Sequence, residues 1–334
     1  MLRLLRGLAR LLLALAVGYL TAWGAMALWF KLPGPDTVRW LVAAAFAALG
    51  LGTVVGIFTM ARLRWLSVFA LASIVLLVWW NSLVPPSEGQ WSPELARQVI
   101  GTIEGDVLTL ENVRAFEWRS EDDFSEVWTT RSYDLSQIES VDLFMSYWGG
   151  RNMAHLMLSF GFADGDYLAW SIEVRRRSED GFSPVADFFK AHPIAIVAGE
   201  ERDIVGLRSN IQKASVRMFR LRMPPDRARN LIEAYVAGAN RLIEQPHWFN
   251  SAFTNCSRTA ILLARYAGAT LPADWRILVN GYFPDYLHDR GALATDVSIG
   301  ELYRLGDISE RARAEGLSEN YSQAIRHGVP RPRR

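Results

Sequence analysis

The chain has one cysteine in 334 residues, Cys256. An intramolecular disulfide is therefore excluded. The five histidines, His155, His192, His247, His288 and His327, are scattered without ligand spacing, so no metal site and no cofactor is expected. There is no glycine-rich phosphate loop, because the one glycine cluster, "GLGTVVG", lies inside an apolar run. No sign of charge dominates either: the net charge is +1, which does not suggest a nucleic-acid binder, and no nucleic-acid partner is expected. Few cysteines do not exclude an oxidising compartment.

Acidic residues are nearly missing from the first 84 positions. Seven basic side chains stand there against Asp36 alone, a net of +6, which leaves −5 for the rest of a chain whose total is +1. Within this head, residues 11–30, 40–60 and 65–84 form three runs, each about 20 residues long, the length that spans a bilayer core as a helix. "KLPGPD" and "ARLR" separate them, and Trp23, Trp29, Trp40, Trp65, Trp79 and Trp80 fall near their ends, as in an interfacial aromatic belt. Arg3, Arg6 and Arg10 at the start, and Arg62 and Arg64 in the second turn, belong on the cytoplasmic side. Three crossings then put everything after the third run outside the cytoplasm. If the first run were a signal peptide cut near Ala25-Met26-Ala27, the body would still lie outside.

The body reads as a single α+β domain. Residues 85–97, "PPSEGQWSPE" and its continuation, form the expected linker. "DVLTLENVRAFEWR", "EVWTTRSYDL", "QIESVDLFMSYWG", "MAHLMLSFGF", "DYLAWSIEVR" and "SVRMFRLRM" are strand-like, with "ADGD" as a hairpin turn. After Pro224-Pro225-Asp226 comes the helical pattern "DRARNLIEAYVAGANRLIEQ". A second helix is expected from about Asn255 to Tyr266, stopped by Gly268. The domain is assigned to 98–306 and a polar, mobile tail to 307–334.

A helix opening near Asn255 puts Cys256 in its first turn, where unpaired N–H groups and the helix dipole favour a thiolate. A thiolate needs a base. Of the five histidines, His155 alone sits inside a strongly strand-like run. His155, Met157 and Ser159 share one face of that strand; Ser171, Glu173 and Arg175 share one face of its neighbour. Either Ser171 or Glu173 can orient the imidazole as the third member of a triad. The plainer alternative is a lone cysteine serving as a small buried hydrophobe and a histidine serving as a hydrogen-bonded core residue.

The order of a strand histidine, "SIEVR", "EERDIVGLR", a helix, and "NC" opening a second helix resembles the Lnb N-terminal periplasmic domain family. The matching stretches are "AHLMLSFGFADGDYLAWSIEVRRR" (154–177), "VAGEERDIVGLR" (197–208) and "FNSAFTNCSRTA" (249–260), in a likeness covering roughly 98–281. That family is similar to papain-type and NlpC-type folds with the His strands permuted ahead of the Cys helix, and to lecithin:retinol acyltransferase and its relatives. The resemblance implies a permuted papain-like domain, which here follows the three-helix membrane anchor read from the apolar runs, an order that departs from the family's own. Cys256 would be the nucleophile and His155 the base, with Ser171 or Glu173 third. Arg175, Glu200, Arg202 and Asn255 are assigned to substrate binding. It further implies a multi-pass protein of the bacterial inner membrane with its C-terminal domain in the periplasm. Its activity would be acyl transfer from phospholipid through a Cys256 thioester to an amine, such as a lipoprotein N-terminus. A cysteine amidase or peptidase acting on cell-wall peptide and a non-catalytic envelope scaffold are the alternatives. The oligomeric state is not written in the sequence.

Overall fold

A computed structural model describes residues 2–333 apart from Gly149 and Phe182. The strand end expected at Gly149 therefore lies outside the described residues. Two compact units are present: 1–85 with 183–192, and 86–182 with 193–334.

The first unit holds three helices, α1 (Leu2–Lys31), α2 (Asp36–Gly56) and α3 (Arg62–Ser82), each long and apolar enough to cross a membrane. Small residues let them approach. A side chain at Gly50 would collide with Thr21, one at Gly24 with Phe46, and one at Gly56 with Trp65. Residues 183–192, which carry the short helix α4 (Pro184–Asp187), complete the unit. Phe189 stacks on Phe30 with ring centroids 5.4 Å apart, and the Lys190 ammonium donates to the Trp80 carbonyl at 2.6 Å.

The second unit is built on a sheet. Its strands are β1 (Ile100–Glu104), β2 (Val107–Arg114), β5 (Trp128–Asp134), β6 (Ile138–Tyr147), β7 (Ala154–Phe162), β8 (Tyr167–Val174), β9 (Ile194–Gly199) and β10 (Ser215–Arg220). They lie in the order β1-β2-β9-β8-β7-β6-β10, with β5 on β2; a small ribbon, β3 (Glu117–Trp118) with β4 (Phe124–Ser125), stands apart. All ladders are antiparallel except the single parallel pair Arg114–Gly199. Asn112 at φ 60° marks the bulge that lets β2 change partners.

Both faces of the sheet are covered. On one, α6 (Pro225–Glu244) and α7 (Cys256–Tyr266) bring Leu231, Tyr235 and Ile261 onto Leu156, Leu158 and Trp170. The short α8 (Trp275–Leu278), α9 (Phe283–Asp289) and α10 (Ile299–Leu305) follow and add Ile277, Tyr286 and Leu302 to that core. On the other face, α5 (Glu201–Gly206), α11 (Ser309–Glu315) and α12 (Tyr321–Ala324) cover Phe144, Met157, Ala169 and Val197. The period-2 and period-3.6 patterns thus find the cores they require.

Three sequence expectations need correction. The tail 307–334 is not a mobile polar end, because Ile308, Ala312, Tyr321 and Ile325 are buried in the second core. The segment 85–97 is not a free linker: Leu95 is in that same core, and the Arg175 guanidinium donates to the Leu95 and Ala96 carbonyls at 3.1 Å each. The domain is also interrupted, since 183–192 groups with the three helices.

The C-terminal segment is locked by charge. Buried Arg326 donates to both oxygens of Glu201, at 2.5 and 2.6 Å, and to Asp142 at 2.9 Å; Arg220 takes the other Asp142 oxygen at 3.1 Å. Arg326→Ala would leave two buried carboxylates with too few partners, so it is expected to cost about 3–5 kcal/mol. Denaturant unfolding of the purified protein measures this; a loss below about 1 kcal/mol would show that the network contributes little.

Candidate active site

The sequence "TNCSRT" starts α7 for a local reason. The Asn255 side chain accepts the Arg258 backbone N–H at 2.9 Å, an N-cap, while its own amide donates to the Ser251 carbonyl at 2.8 Å. Cys256 is then the first helical residue, half-buried, beside N–H groups that have no partner within the helix.

The β7–β8 ladder ends at the pair Met157–Ser171. Two residues further, at His155 and Glu173, the strands no longer pair, and the Leu156 backbone N–H lies close enough to the Cys256 thiol to favour its charged form. On the same strand faces His155 Nε2 lies 2.7 Å from Ser171 Oγ and 3.1 Å from Glu173 Oε1. Ser171 Oγ donates to Glu173 Oε1 at 2.6 Å, and Arg208 Nη2 donates to the same oxygen at 3.0 Å. Because the serine proton is committed to Glu173, Ser171 Oγ accepts from His155, and this network assigns the imidazole proton to Nε2. Nδ1 is left as the basic nitrogen, and His155 and Cys256 each shift the other's titration.

The electrostatics follow. Burial pushes the His155 imidazole down, but the Glu173 charge and the hydrogen bond to Cys256 outweigh it and raise the imidazole to about 9. Burial pushes the Cys256 thiol up, yet His155, the Leu156 N–H and the Ser257 hydroxyl together bring it below its ordinary value. Against burial, His155 and Arg208 hold Glu173 well below the usual carboxylate range. The arrangement therefore biases Cys256 toward its thiolate and His155 toward its imidazolium, backed by a carboxylate and a guanidinium and beside first-turn N–H groups that have no partner within the helix.

Two contributors escaped the sequence reading. Arg208 sits on a π-helical turn, Leu207–Ile211, that follows α5, and the wider turn carries its guanidinium to Glu173. Asn280 donates to Ser257 Oγ at 2.5 Å and to the Ala154 carbonyl at 2.6 Å, and accepts the Ala154 N–H at 3.0 Å. It ties the start of β7 to the start of α7. Arg208 ends the quoted stretch "VAGEERDIVGLR", but nothing in the spacing pairs it with Glu173.

Three expected substrate-binding residues are elsewhere. Arg175 is committed to the 85–97 segment and stacks on Trp91, with its guanidinium 4.5 Å from the ring centre. Glu200 pairs with Arg131 and Arg202. It follows Gly199, whereas Glu173 faces Ala195, so it lies on the order of 15 Å along the strand from the site. Asn255 acts as the cap, its side-chain oxygen and amide both engaged.

Glu173 gives a pH test of the site. Its pKa is lower folded than unfolded, so its contribution to stability is present above the unfolded value of about 4.3 and is lost as pH falls through the folded value. Glu173→Gln should start from a lower Tm at pH 7 and fall less steeply on acidification. Thermal melts from pH 7 to 3 check this, and parallel curves for the two proteins would contradict it.

The fold and site together define a class: a three-helix membrane segment joined to an α+β domain with a Cys–His pair supported by Ser, Glu and Arg. Residues 124–281 match the family model of the Lnb N-terminal periplasmic domain. The matched segment contains Cys256, His155, Ser171, Glu173 and Arg208. No curated protein and no solved structure matches the chain. The match and the three apolar helices describe a membrane-associated protein with a periplasmic domain.

Proposed function

We propose that the protein is a cysteine acyltransferase that moves an acyl chain from phospholipid to an amine. The observation that carries this reading is Cys256 at the first position of α7, its thiol lowered by His155, whose Nε2 is tied to Ser171 and Glu173. In the first half-reaction the thiolate attacks the ester carbonyl and a C–S bond forms. First-turn N–H groups hold the oxyanion. The C–O bond then breaks, and the leaving alkoxide takes the imidazolium proton, giving a thioester and a lysophospholipid. In the second half-reaction the acceptor amine attacks, His155 takes its proton, and the C–S bond breaks to leave an amide.

The strand-before-helix order of base and nucleophile supports a permuted papain-type arrangement. The arginine-rich ends of α1 and α3 support insertion in the bacterial inner membrane with the catalytic domain in the periplasm. Linking the domain to membrane helices raises the effective concentration of a lipid donor and of a lipid-anchored amine such as a lipoprotein N-terminus.

The test uses full-length protein in liposomes containing acyl-labelled phospholipid, then a diacylglyceryl-cysteine peptide with a free amine. The expected result is hydroxylamine-labile label on Cys256 that moves to the peptide amine. Label released only as free fatty acid would make water the acceptor and the protein a hydrolase. No label on Cys256 would contradict the reading.

A further inference from the structure

The second unit contains an apolar cavity of about 300 Å³ beside α7, with Leu156, Leu158, Ala260, Ile261 and Phe283 among its walls. Its volume is on the order of ten water molecules, enough for one hydrocarbon chain but not for two. Leu156, next to His155 on β7, lines the cavity, and so does Ala260, one turn along the helix from Cys256, while Cys256 itself does not line it. From Ala260 the cavity follows α7 past Ala264 to Ala267, toward the helix's C-terminal end.

At that far end the lining changes character. Arg222, Arg227 and Arg290 line the cavity and are solvent-exposed, so they form its rim. The Arg222 N–H donates to the Ala292 carbonyl at 2.7 Å, which brings the 222–227 and 290–292 segments together. No Asp or Glu lines the cavity. Among the described residues none of the three arginines has an ion-pair partner, and the nearby Asp289 is taken by Arg276 at 2.6 Å. Arg290 packs over the Tyr286 ring and lies near enough to Asp274 to help lower its carboxyl. An apolar tube ending in unpaired guanidinium groups complements a molecule with one hydrocarbon chain and an anionic head. Guanidinium forks favour phosphate.

We propose that this cavity binds a one-chain, phosphate-headed lipid, its head on Arg222 and Arg227 and its chain running along α7 toward Leu156. The head then sits at the opposite end of α7 from Cys256. This is a binding site separate from the thiol chemistry, and it does not rest on the acyl-transfer reading.

The test uses full-length Cys256→Ala protein in phosphatidylcholine nanodiscs, so that no covalent capture at the thiol contributes. The probe is dodecyl phosphate with a photoactivatable diazirine near the chain end. Label is expected on β7, α7 and α9. Unlabelled dodecyl phosphate should compete at about ten-fold lower concentration than dodecylphosphocholine or dodecanoate. Arg222→Gln with Arg227→Gln, both at exposed positions, should remove that preference. Ile261→Trp, which fills the cavity, should abolish the label. Three results would overturn the proposal: label confined to α1–α3, equal competition by the three amphiphiles, or an unchanged preference in the arginine variant. If Ile261→Trp fails to fold, the arginine variant still decides.

Discussion

Cys256→Ala is expected to lower acyl transfer by at least about 10³-fold while leaving the fold intact. The residual rate would come from orientation and the oxyanion donors, which the substitution does not touch. Structural cost is small for stated reasons. The helix cap belongs to Asn255, the side chain is only half-buried, and alanine is the best helix former at the vacated position. A large loss of activity at nearly unchanged Tm therefore separates a nucleophile from a packing residue. Product assays with labelled phospholipid, run beside thermal melts, measure both. Retained turnover in Cys256→Ala would refute covalent catalysis.

His155→Ala has the second large effect. Removing a general base typically costs about 10²–10⁴-fold, and here the same side chain also stabilises the thiolate. Without it, burial dominates and the thiol is driven up rather than down. The pH profile carries its own check. In the first half-reaction the imidazolium must give its proton to the leaving alkoxide. With His155 raised to about 9, activity should rise as the thiol ionises, hold through neutral pH, and fall as pH passes about 9 and the imidazolium is lost. In His155→Ala the alkaline fall near 9 should disappear with the activity. A wild-type profile falling instead at an ordinary histidine pKa near 6.5 would contradict the support assigned to Glu173.

Much of this was legible in the sequence because the local signals were strong. Cap and helix start at Asn255–Cys256 follow from one short polar side chain and the apolar spacing behind it. The strand pleat put His155, Ser171 and Glu173 on faces that could meet once "ADGD" closed the hairpin. What escaped was set by tertiary packing. β9, "IAIVAG", is buried throughout and shows no alternation, so nothing distinguished it from any apolar run. Ile308, Tyr321 and Ile325 are too widely spaced among polar residues to announce a buried tail, and Arg326 reads as surface charge until Asp142 and Glu201 are seen around it. Arg175 looked like a site residue from its place on the strand face beside Glu173. Its long side chain instead holds the segment before β1. Arg208 joined the site because a π turn aimed it there, and that turn has no sequence pattern of its own.

The central claim is that Cys256 is an activated thiolate paired with His155. Its most direct test is the rate of alkylation of Cys256, the only thiol, as a function of pH in full-length wild-type protein and in His155→Ala. The account predicts a wild-type thiol that titrates below the usual value of about 8.5 and moves above it when His155 is removed. A thiol that stays inert in both proteins, or titrates near 8.5 whether or not His155 is present, would contradict it.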